Sequence, residues 1–300
     1  MAVDYCSGWK QFDLSILGSS KETTVKRVAV TGATGNLGKE LVGIGCVPLS
    51  FDITNISQIQ DELKKVEPDV IINCAAKSHV DACESKEGEK LAIAVNTRGI
   101  FNLREVYDGQ IIHLSTGYVF NGKRGPYKEN GKPSPIQGYG YSKWAGEVIF
   151  QSYKRPNDVV VRTMGLYGGH KPDFVSMVLG ALEKEEEIAI FKDMKFNVTY
   201  IPHLAKTLME LVDIQDPPKI VNIAGKEVLS RYDFAKKIAQ KFGYDQSYIT
   251  SITMKNMEDV FVAARPKNAG LKTDLAEKIG LSIYSVIDGL ESFRYKWMSQ

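Results

Sequence analysis

The chain has 300 residues, of which 43% are hydrophobic and 25% are charged. These proportions are typical of a globular protein that buries a sizeable core in one large domain or two lobes. The 38 basic and 36 acidic side chains leave a formal charge of +2, which gives no indication of a nucleic-acid partner. Because no apolar run reaches ~20 residues, we expect no membrane span.

The cysteines and histidines do not form metal-ligand patterns. The four cysteines are scattered, without a C-x-x-C pair, and are predicted to be reduced thiols of a cytoplasmic protein. None of the four histidines has a metal-ligand spacing, so no metal site is predicted. Residues 1–24 lack the basic start and cleavage site of a signal peptide and are predicted to be an N-terminal extension.

From Val25 onward, short apolar runs alternate with segments of helical spacing. The predicted strands are "KRVAVTG", "CVPLSFD", "PDVIINCAA", "QIIHLST" and "DVVVRTMGLYG". The predicted helices are "GNLGKELVGIG", "SQIQDELKKVE" with Ser57 as its cap, "KEGEKLAIAVNTRGIFNLREVY" and "YGYSKWAGEVIFQSY". Uninterrupted apolar strands that alternate with helices predict an α/β protein with a doubly wound parallel sheet, the Rossmann architecture.

The alternation of predicted strands and helices becomes less regular after Gly168. A helix in "FVSMVLGALEKEEE", a short strand "IAIF" and a further apolar strand "KIVNIAG", which could return to the sheet, come next. We therefore predict a Rossmann dinucleotide-binding domain over residues 25–165, completed by about residues 200–225. Residues 166–199 and 226–300 would form a smaller C-terminal α/β lobe.

The stretch "TGATGNLG" (Thr31–Gly38) lies between a predicted strand and a predicted helix. Gly32, Gly35 and Gly38 would let the backbone turn tightly and approach a pyrophosphate at the N-terminus of the helix. A glycine string alone is a weak signal, but the strand–turn–helix context favours dinucleotide binding.

The stretch "YGYSK" contains two tyrosines before a lysine. Tyr139 and Lys143, at i and i+4, share one helical face, whereas Tyr141 points to nearly the opposite side. An ammonium close to a phenol favours the phenolate and lowers its pKa, so Tyr139 is a candidate proton donor. The alternative is a partly buried aromatic residue beside a solvated lysine.

The strand "QIIHLST" ends in Ser115 and Thr116. Ligands of open α/β sheets bind outside the carboxyl ends of the strands, so these hydroxyl groups are expected to face the cofactor crevice. Taken alone, the pair could simply be a Ser/Thr turn. The ordered combination with the glycine loop and Tyr139–Lys143 favours a reductase site.

With these motifs assembled, the chain resembles the extended short-chain dehydrogenase/reductase family, and within it the dTDP-4-dehydrorhamnose reductases. The resemblance runs from about Lys26 to Gly280 through "VTGATGNLG", "FDIT", "EPDVIINCAAKSHVDACE", "AVNTRG", "LSTGYVFNG", "YGYSK-AGE", "VVRTMGLYG" and the late "ARPKNAGLKTD". It implies reduction, with NADPH or NADH, of the C4 keto group of a nucleotide-linked 4-keto-6-deoxy sugar.

The resemblance also implies roles for individual residues. Thr116, Tyr139 and Lys143 would be catalytic, with Tyr139 protonating the C4 oxygen and Lys143 lowering its pKa. The implied cofactor residues are Gly32, Thr34, Gly35, Asn36, Leu37, Gly38, Asp52, Ile53, Ala75, Ala76, Lys77, Asn96, Ser115, Tyr139 and Lys143. The implied substrate residues are Thr116, Gly117, Met164, Arg265 and Asn268, of which Arg265 and Asn268 would lie in or near the nucleotide-sugar pocket of the C-terminal lobe.

Three departures from the family pattern lie on the substrate side. Gly117 replaces an aspartate, Met164-Gly165 replaces Ser-Trp, and "DMKFNVTY" alters a "D-x-F-G-x-P-T" segment. The sugar and its nucleotide base therefore stay open. The region between Gly38 and Asp52 is also shorter than the family pattern, which leaves the choice between NAD and NADP open.

Two alternatives remain at this stage. The first is a nucleotide-sugar epimerase or dehydratase that keeps its NAD bound. The second is a non-catalytic regulatory subunit like the β subunit of methionine adenosyltransferase, which shares this fold. A homodimer is compatible with all three readings, although the sequence indicates no interface.

Overall fold

The structure is a computed structural model that describes residues 26–255 and 261–299. The predicted N-terminal extension lies outside the described residues. The strands are β1 (Val28–Thr31), β2 (Val47–Pro48), β3 (Val70–Asn73), β4 (Gln110–Thr116), β5 (Val159–Thr163), β6 (Leu166–Tyr167), β7 (Ile188–Phe191), β8 (Lys195–Asn197), β9 (Thr199–Tyr200), β10 (Ile220–Asn222), β11 (Val228–Ser230) and β12 (Ile249–Ile252).

The helices cover both faces of the sheet and build the C-terminal part. They are α1 (Asn36–Gly43), α2 (Ile56–Val66), α3 (Lys86–Ala92), α4 (Gly99–Val106), α5 (Gly138–Ser152), α6 (Phe174–Leu182), α7 (Ile201–Val212), α8 (Arg231–Phe242), α9 (Asp274–Lys278) and α10 (Val286–Met298). A π-helical segment (Ile93–Arg98) joins α3 to α4. No helix among the described residues is long and apolar enough to cross a membrane.

The central sheet has six parallel strands in the order β10-β5-β4-β3-β1-β2. This confirms the doubly wound α/β prediction, and "KIVNIAG" does return to the sheet, as the edge strand β10 beside β5. The register aligns Thr31 of β1 with Asn73 of β3, and Asn73 with His113 of β4. The residues that follow these strands therefore meet at one edge of the sheet.

Alternating side chains of the strands pack into two apolar layers, as the period of 2 requires. One face of the sheet packs on α1 and α7, through residues that include Val30, Ile72, Ile112, Val161, Leu41, Leu204 and Leu208. The other face packs on α2, α4 and α5, through residues that include Ala29, Ile71, Ile111, Val160, Ile59, Leu103 and Phe150. Burial on both faces explains why these strands are continuously apolar.

A third apolar cluster lies in the C-terminal part of the chain. Helices α6, α8 and α10 enclose it, and its buried residues include Tyr167, Val178, Leu179, Phe234, Ile238, Leu290 and Phe293. Three pairs of strands surround it: β11 with β8, β12 with β7, and β6 with β9. This cluster gives residues from about 166 onward a core separate from the two layers on the central sheet.

Local structure differs from the sequence expectations at three points. Only Val47 and Pro48 of "CVPLSFD" form a strand. Helix α2 is capped by Asn55, whose side chain accepts a hydrogen bond from Gln58 N, so the predicted cap at Ser57 is wrong. The predicted strand "DVVVRTMGLYG" is broken into β5 and β6, because Gly165 has a φ of +56° that redirects the chain.

Candidate active site

A cleft of ≈ 400 Å³ opens at the carboxyl edge of the central sheet. Its wall brings together many of the residues predicted to bind a cofactor. They are Gly32, Gly35, Asn36, Leu37, Gly38, Ala76, Ser115, Tyr139 and Lys143. The wall also includes Cys74, Ser78, Leu114, Thr163, Leu166, Lys171 and Ile201, which were not predicted. The cleft thus joins the glycine loop to the Tyr139–Lys143 face of α5.

The glycine loop leaves no room for side chains on its inner surface. Gly32 has a φ of +64°, and a Cβ atom there would lie 2.8 Å from Ala75 N. A Cβ atom on Gly38 would overlap the Gly32 carbonyl oxygen. Helix α1 begins after Gly35 without a side-chain cap and without an acidic residue in its first turn. The first amide groups of α1 are therefore available to an anion.

The segment after β3 is held by Asn96, which lies in the π-helical segment. Asn96 Oδ1 accepts from Lys77 N at 2.8 Å, and its Nδ2 donates to Lys77 O at 3.0 Å and to Ser142 Oγ at 2.9 Å. These three hydrogen bonds fix the backbone of Lys77 to helix α5. Asn96 therefore lies beside the cleft and does not line its wall.

Ala75 is fixed by a second buried network. Ala75 N donates to Thr31 Oγ1 at 3.2 Å, and Thr31 Oγ1 donates to Asn73 Oδ1 at 2.5 Å. Asn73 Nδ2 lies 2.9 Å from His113 Nδ1, which accepts the bond because an amide nitrogen can only donate. Burial, together with the charge of Lys143, lowers the pKa of His113 well below its usual value. His113 is thus a neutral structural residue.

Helix α5 places Tyr139 and Lys143 on one face, as their spacing predicts. Both side chains line the cleft, whereas Tyr141 is 54% exposed and packs edge-on against Trp144. The helix begins with a cap in which the Gln137 side chain accepts from Gly140 N at 2.8 Å. Tyr139 therefore faces the cleft and Tyr141 faces away from it, as the helical period requires.

The pKa shifts differ from the expectation for this pair. Burial raises the pKa of Tyr139 to about 12, and a hydrogen bond with Thr116 only partly offsets this. Burial also lowers the pKa of Lys143 to about 8, although the carboxylate of Glu147 raises it. The expected lowering of the Tyr139 pKa by Lys143 is therefore not found, and desolvation of the phenolate is the largest cause of the shift.

Glu147 is a buried member of the site to which the sequence analysis assigned no role. It lies one further helical turn beyond Lys143 and forms a two-pronged ion pair with Arg162, at 2.9 Å to Nε and 2.7 Å to Nη2. It also accepts from Ser115 Oγ at 2.5 Å. The repeated spacing of four residues from Tyr139 to Lys143 to Glu147 is the sequence pattern that could have identified Glu147 as a member of the site.

The departures from the family pattern around Thr116 form one packed unit. Thr116 Oγ1 donates to Met164 Sδ at 3.7 Å and accepts from Tyr118 N at 3.2 Å. A Cβ atom on Gly117 would lie 2.7 Å from Met164 Sδ and from the Ala269 carbonyl oxygen. Met164 thus occupies the space that a side chain at Gly117 would need.

Gly165 is equally constrained. Its φ is +56°, and a Cβ atom there would overlap the Asn197 carbonyl oxygen and lie 2.6 Å from the Phe196 ring. A tryptophan cannot occupy this position in the present backbone. At both Gly117 and Gly165, neighbouring atoms therefore fill the space that the side chain of the family pattern would need.

The remaining predicted cofactor residues lie outside the wall of the cleft. Thr34 is exposed at the tip of the glycine loop, and Ile53 is buried beneath α4, beside Gly99. Asp52 is exposed, and its Oδ1 accepts from the backbone and side chain of Thr54 at 2.9 and 2.8 Å, which lowers its pKa. Its predicted contact with the adenosine ribose stays a prediction.

The two predicted residues of the late motif have separate structural partners. Arg265 Nη2 forms an ion pair with Asp81 Oδ2 at 2.6 Å, and Ala263 N donates to Asp81 Oδ1 at 2.9 Å. Asn268 Nδ2 donates to Gly125 O at 2.9 Å. Arg265 thereby ties the C-terminal segment to the segment that follows β3. Within the described part of the chain, no group of three or more metal-binding side chains is present.

Comparison with known proteins places this site in a family context. The profile of the family described as RmlD substrate binding domain matches residues 26–293. A dTDP-4-dehydrorhamnose reductase of Aggregatibacter actinomycetemcomitans is 30% identical over 280 residues, which cover 85% of this chain and 94% of the relative. The β subunit of methionine adenosyltransferase 2 from Danio rerio is 28% identical over 288 residues, which cover 88% of each chain.

The fold is also that of solved structures. The crystal structure of a dTDP-4-dehydrorhamnose reductase from Bacillus anthracis in complex with NADP matches this chain with a TM-score of 0.83 and 30% identity. The match covers 90% of this chain and 99% of that one.

Proposed function

This chain belongs to the RmlD substrate binding domain family, and on that premise we propose that it reduces the C4 keto group of a nucleotide-linked 4-keto-6-deoxy sugar with NADPH or NADH. The observation that carries the proposal is the single cleft that joins a glycine loop to Tyr139 and Lys143. Named relatives that are dTDP-4-dehydrorhamnose reductases, one of them bound to NADP, support this class of reaction.

The residues present fit a nicotinamide dinucleotide. The overlap that side chains at Gly32 and Gly38 would cause leaves a bare backbone surface at the start of α1. Uncapped amide groups at that helix end suit a pyrophosphate. We propose that this loop holds the pyrophosphate, with Ala76, Ser115 and Lys143 lining the remainder of the binding site. The bound dinucleotide supplies hydride to C4.

Tyr139 is the proposed proton donor. With its pKa near 12, the phenol stays protonated at neutral pH, as a general acid must. When hydride reaches C4, the electron pair of the C=O bond moves to oxygen, and that oxygen takes the phenolic proton. The hydroxyl of Thr116, whose proximity lowers the pKa of Tyr139 against the larger effect of burial, would orient the carbonyl oxygen. Lys143, with a pKa of about 8, is mainly charged at neutral pH and would stabilise the phenolate left behind.

The C-terminal segments, 166–199 and 226–300, are proposed as the substrate lobe. Their separate apolar core supports this division. The ion pair between Arg265 and Asp81 brings the late motif next to the segment after β3, which supports a pocket for the nucleotide sugar between the two parts. We further infer a cytoplasmic location, where such nucleotide sugars are made, consistent with the free thiols of Cys46, Cys74 and Cys83.

A homodimer is the assembly that we expect. Helices α4 and α5 pack side by side and leave Phe101, Tyr141 and Val148 at least 41% exposed, so they offer an apolar surface to a second copy. Sedimentation equilibrium of the purified protein would test this, and a monomer at micromolar concentration would contradict it.

The proposed reaction is tested by mixing purified protein with NADPH or NADH and a dTDP- or UDP-linked 4-keto-6-deoxyhexose. We expect loss of absorbance at the nicotinamide band. Tyr139→Phe should lower the rate at least ~100-fold, the usual contribution of a general acid, while cofactor affinity is retained. Tyr141→Phe is the matched control, since Tyr141 does not line the cleft and the change removes only a hydroxyl group while keeping the ring. Folded protein that oxidises neither cofactor would count heavily against the proposal.

A second candidate function is that of a non-catalytic regulatory subunit. The similarity to the β subunit of methionine adenosyltransferase 2 is the observation that favours it. A stable partner recovered with the wild-type protein and equally with Tyr139→Phe would support this candidate. The retention of Tyr139 and Lys143 in the wall of one cleft, with Thr116 next to the lining residue Ser115 at the end of β4, favours the reductase. A nicotinamide that co-purifies and is not consumed would instead indicate an epimerase or dehydratase.

A further inference from the structure

Lys171 lines the cofactor cleft although it belongs to the C-terminal part of the chain. It follows β6 in the loop that leads to α6, and it is exposed. Lys143 and Lys171 are the positively charged side chains in the wall of the cleft, and none of the described residues in that wall is acidic. Lys143 has a proposed role beside Tyr139. Lys171 is therefore the positive charge of the cleft to which no role has been assigned.

The loop that carries Lys171 is fixed against the start of α1. Lys171 N donates to Asn36 Oδ1 at 3.2 Å, and Asn36 is the first residue of α1. A Cβ atom on Gly169 would lie 2.4 Å from Asn36 Cγ, so the glycine permits this close approach. Gly168 N donates to Asp173 Oδ2 at 2.5 Å, which fixes the beginning of the loop to its end. The backbone of Lys171 is thus held beside the N-terminus of α1.

Among residues 26–255 and 261–299, no carboxylate neutralises the ammonium group of Lys171. Lys171 takes part in none of the ion pairs of this part of the chain. The nearby carboxylate of Asp173 accepts backbone hydrogen bonds on both of its oxygens, from Gly168 N and from the first turn of α6. Helix α1 has no side-chain cap and no acidic residue in its first turn. An unpaired ammonium group and a positive helix end therefore lie at the same cleft.

We propose that Lys171 binds the pyrophosphate of the nicotinamide dinucleotide, together with the amide groups at the start of α1. A pyrophosphate carries two negative charges, whereas a helix N-terminus supplies only about half of a positive charge. A lysine beside that terminus supplies most of the remainder. The contact would also join the C-terminal part of the chain to the cofactor, because Lys171 directly precedes α6. This assignment rests on the proposed function, which requires the dinucleotide.

The position of Lys171 distinguishes the pyrophosphate from the 2′-phosphate that NADPH also carries. The adenosine ribose, which bears the 2′-phosphate, is expected near Asp52 in the segment after β2. Strand β2 is the edge strand of the central sheet, whereas β6, which precedes Lys171, pairs with β9 outside that sheet. We therefore expect Lys171 to contribute equally to the binding of NADPH and NADH.

The test measures cofactor binding without turnover. Dissociation constants of NADPH and NADH are determined by fluorescence titration for the wild type, Lys171→Met, Lys171→Arg and Lys39→Met. Lys39 is an exposed lysine of α1 that does not line the cleft, so Lys39→Met is the matched control for the loss of one positive charge. We expect Lys171→Met to weaken both cofactors roughly 5- to 20-fold, between the effects of an exposed ion pair and of a buried charged hydrogen bond. Lys171→Arg should keep most of the affinity because it keeps the charge.

Two further measurements separate a charge contact from a structural role. The affinity lost in Lys171→Met should become smaller as KCl is raised to about 0.5 M, because salt screens an exposed charge. The urea midpoint of Lys171→Met without cofactor should equal that of the wild type, since the side chain is exposed and only the backbone of Lys171 binds Asn36. A loss of affinity that salt does not change, or a lowered midpoint, would contradict the proposed contact.

The outcomes distinguish this contact from the proposed function. Equal affinity of Lys171→Met and the wild type for both cofactors overturns the contact, as does an equal loss in Lys39→Met. A loss with NADPH alone also overturns it, because it would place Lys171 at the 2′-phosphate. If Lys171→Met binds cofactor like the wild type and still reduces a sugar, the reductase function stands without this contact. If binding depends on Lys171 but no sugar is reduced, the contact stands and the reductase function fails.

Discussion

Lys143 is expected to destabilise the cofactor-free protein, so that its removal should increase stability. Its side chain is 2% exposed, and burial lowers its pKa from 10.5 to about 8. A difference of one pKa unit corresponds to about 1.4 kcal/mol, so protonated Lys143 costs the folded state about 3 kcal/mol at pH 7. Lys143→Met keeps the length of the stem and removes the amine, and should therefore raise the free energy of unfolding by about this amount.

The pH dependence provides the sharper form of this prediction. Because the folded pKa lies below the unfolded one, the cost is fully present below pH 8, falls as the pH rises from 8 to 10.5, and vanishes above that range. The advantage of Lys143→Met should shrink from about 3 kcal/mol at pH 7 to about 1 kcal/mol at pH 10. Urea denaturation at pH 7 and at pH 10 measures this difference in the free energy of unfolding between the variant and the wild type. The exposed Lys90→Met serves as the control. A variant less stable than the wild type, or an advantage independent of pH, would refute the reasoning.

The remaining predictions concern the buried surroundings of the site. Glu147→Gln should lower the free energy of unfolding by about 3 kcal/mol in urea denaturation, because it leaves Arg162 charged and only partly paired at 2% exposure. The double variant with Arg162→Met should recover most of that loss, and equal losses in the single and double variants would contradict the ion-pair argument. Gly117→Asp should cost roughly 1–3 kcal/mol through overpacking, and adding Met164→Ser should return part of it. Strictly additive effects of these two changes, measured by thermal unfolding, would rule out that contact.

Much of the fold could be predicted because its signals are local. Continuously apolar strands such as β3 and β4 indicated burial on both faces, and the doubly wound sheet confirms it. The motifs of the glycine loop and of α5 predicted the family, which the profile match confirms. The helical period also predicted that Tyr139, and not Tyr141, shares a face with Lys143, and only Tyr139 lines the cleft.

The sequence could not predict the pKa shifts and the ion pairs of the site, because these depend on residues that are distant in the chain. A lysine four residues from a tyrosine implied a lowered phenol pKa, but the burial of both groups gives desolvation the larger effect. Glu147 lies on α5 and its partner Arg162 lies on β5, and no local pattern joins the two.

The departures at Gly117, Met164 and Gly165 are better understood as one coupled change than as separate losses. The Met164 side chain fills the space beside Gly117 and accepts the hydrogen bond of Thr116, while the positive φ of Gly165 turns the chain out of β5. An acidic residue at position 117 would therefore require Met164 to move, and an aromatic residue at position 165 would be strained by the positive φ and would overlap Asn197 O. Tyr139 and Lys143 line the cleft and are not among the nearest atoms to a Cβ at Gly117 or Gly165, so we expect the change to leave the proposed proton donor undisturbed. Specificity for the sugar should accordingly differ from that of relatives with the family pattern, whereas the reduction chemistry should be the same.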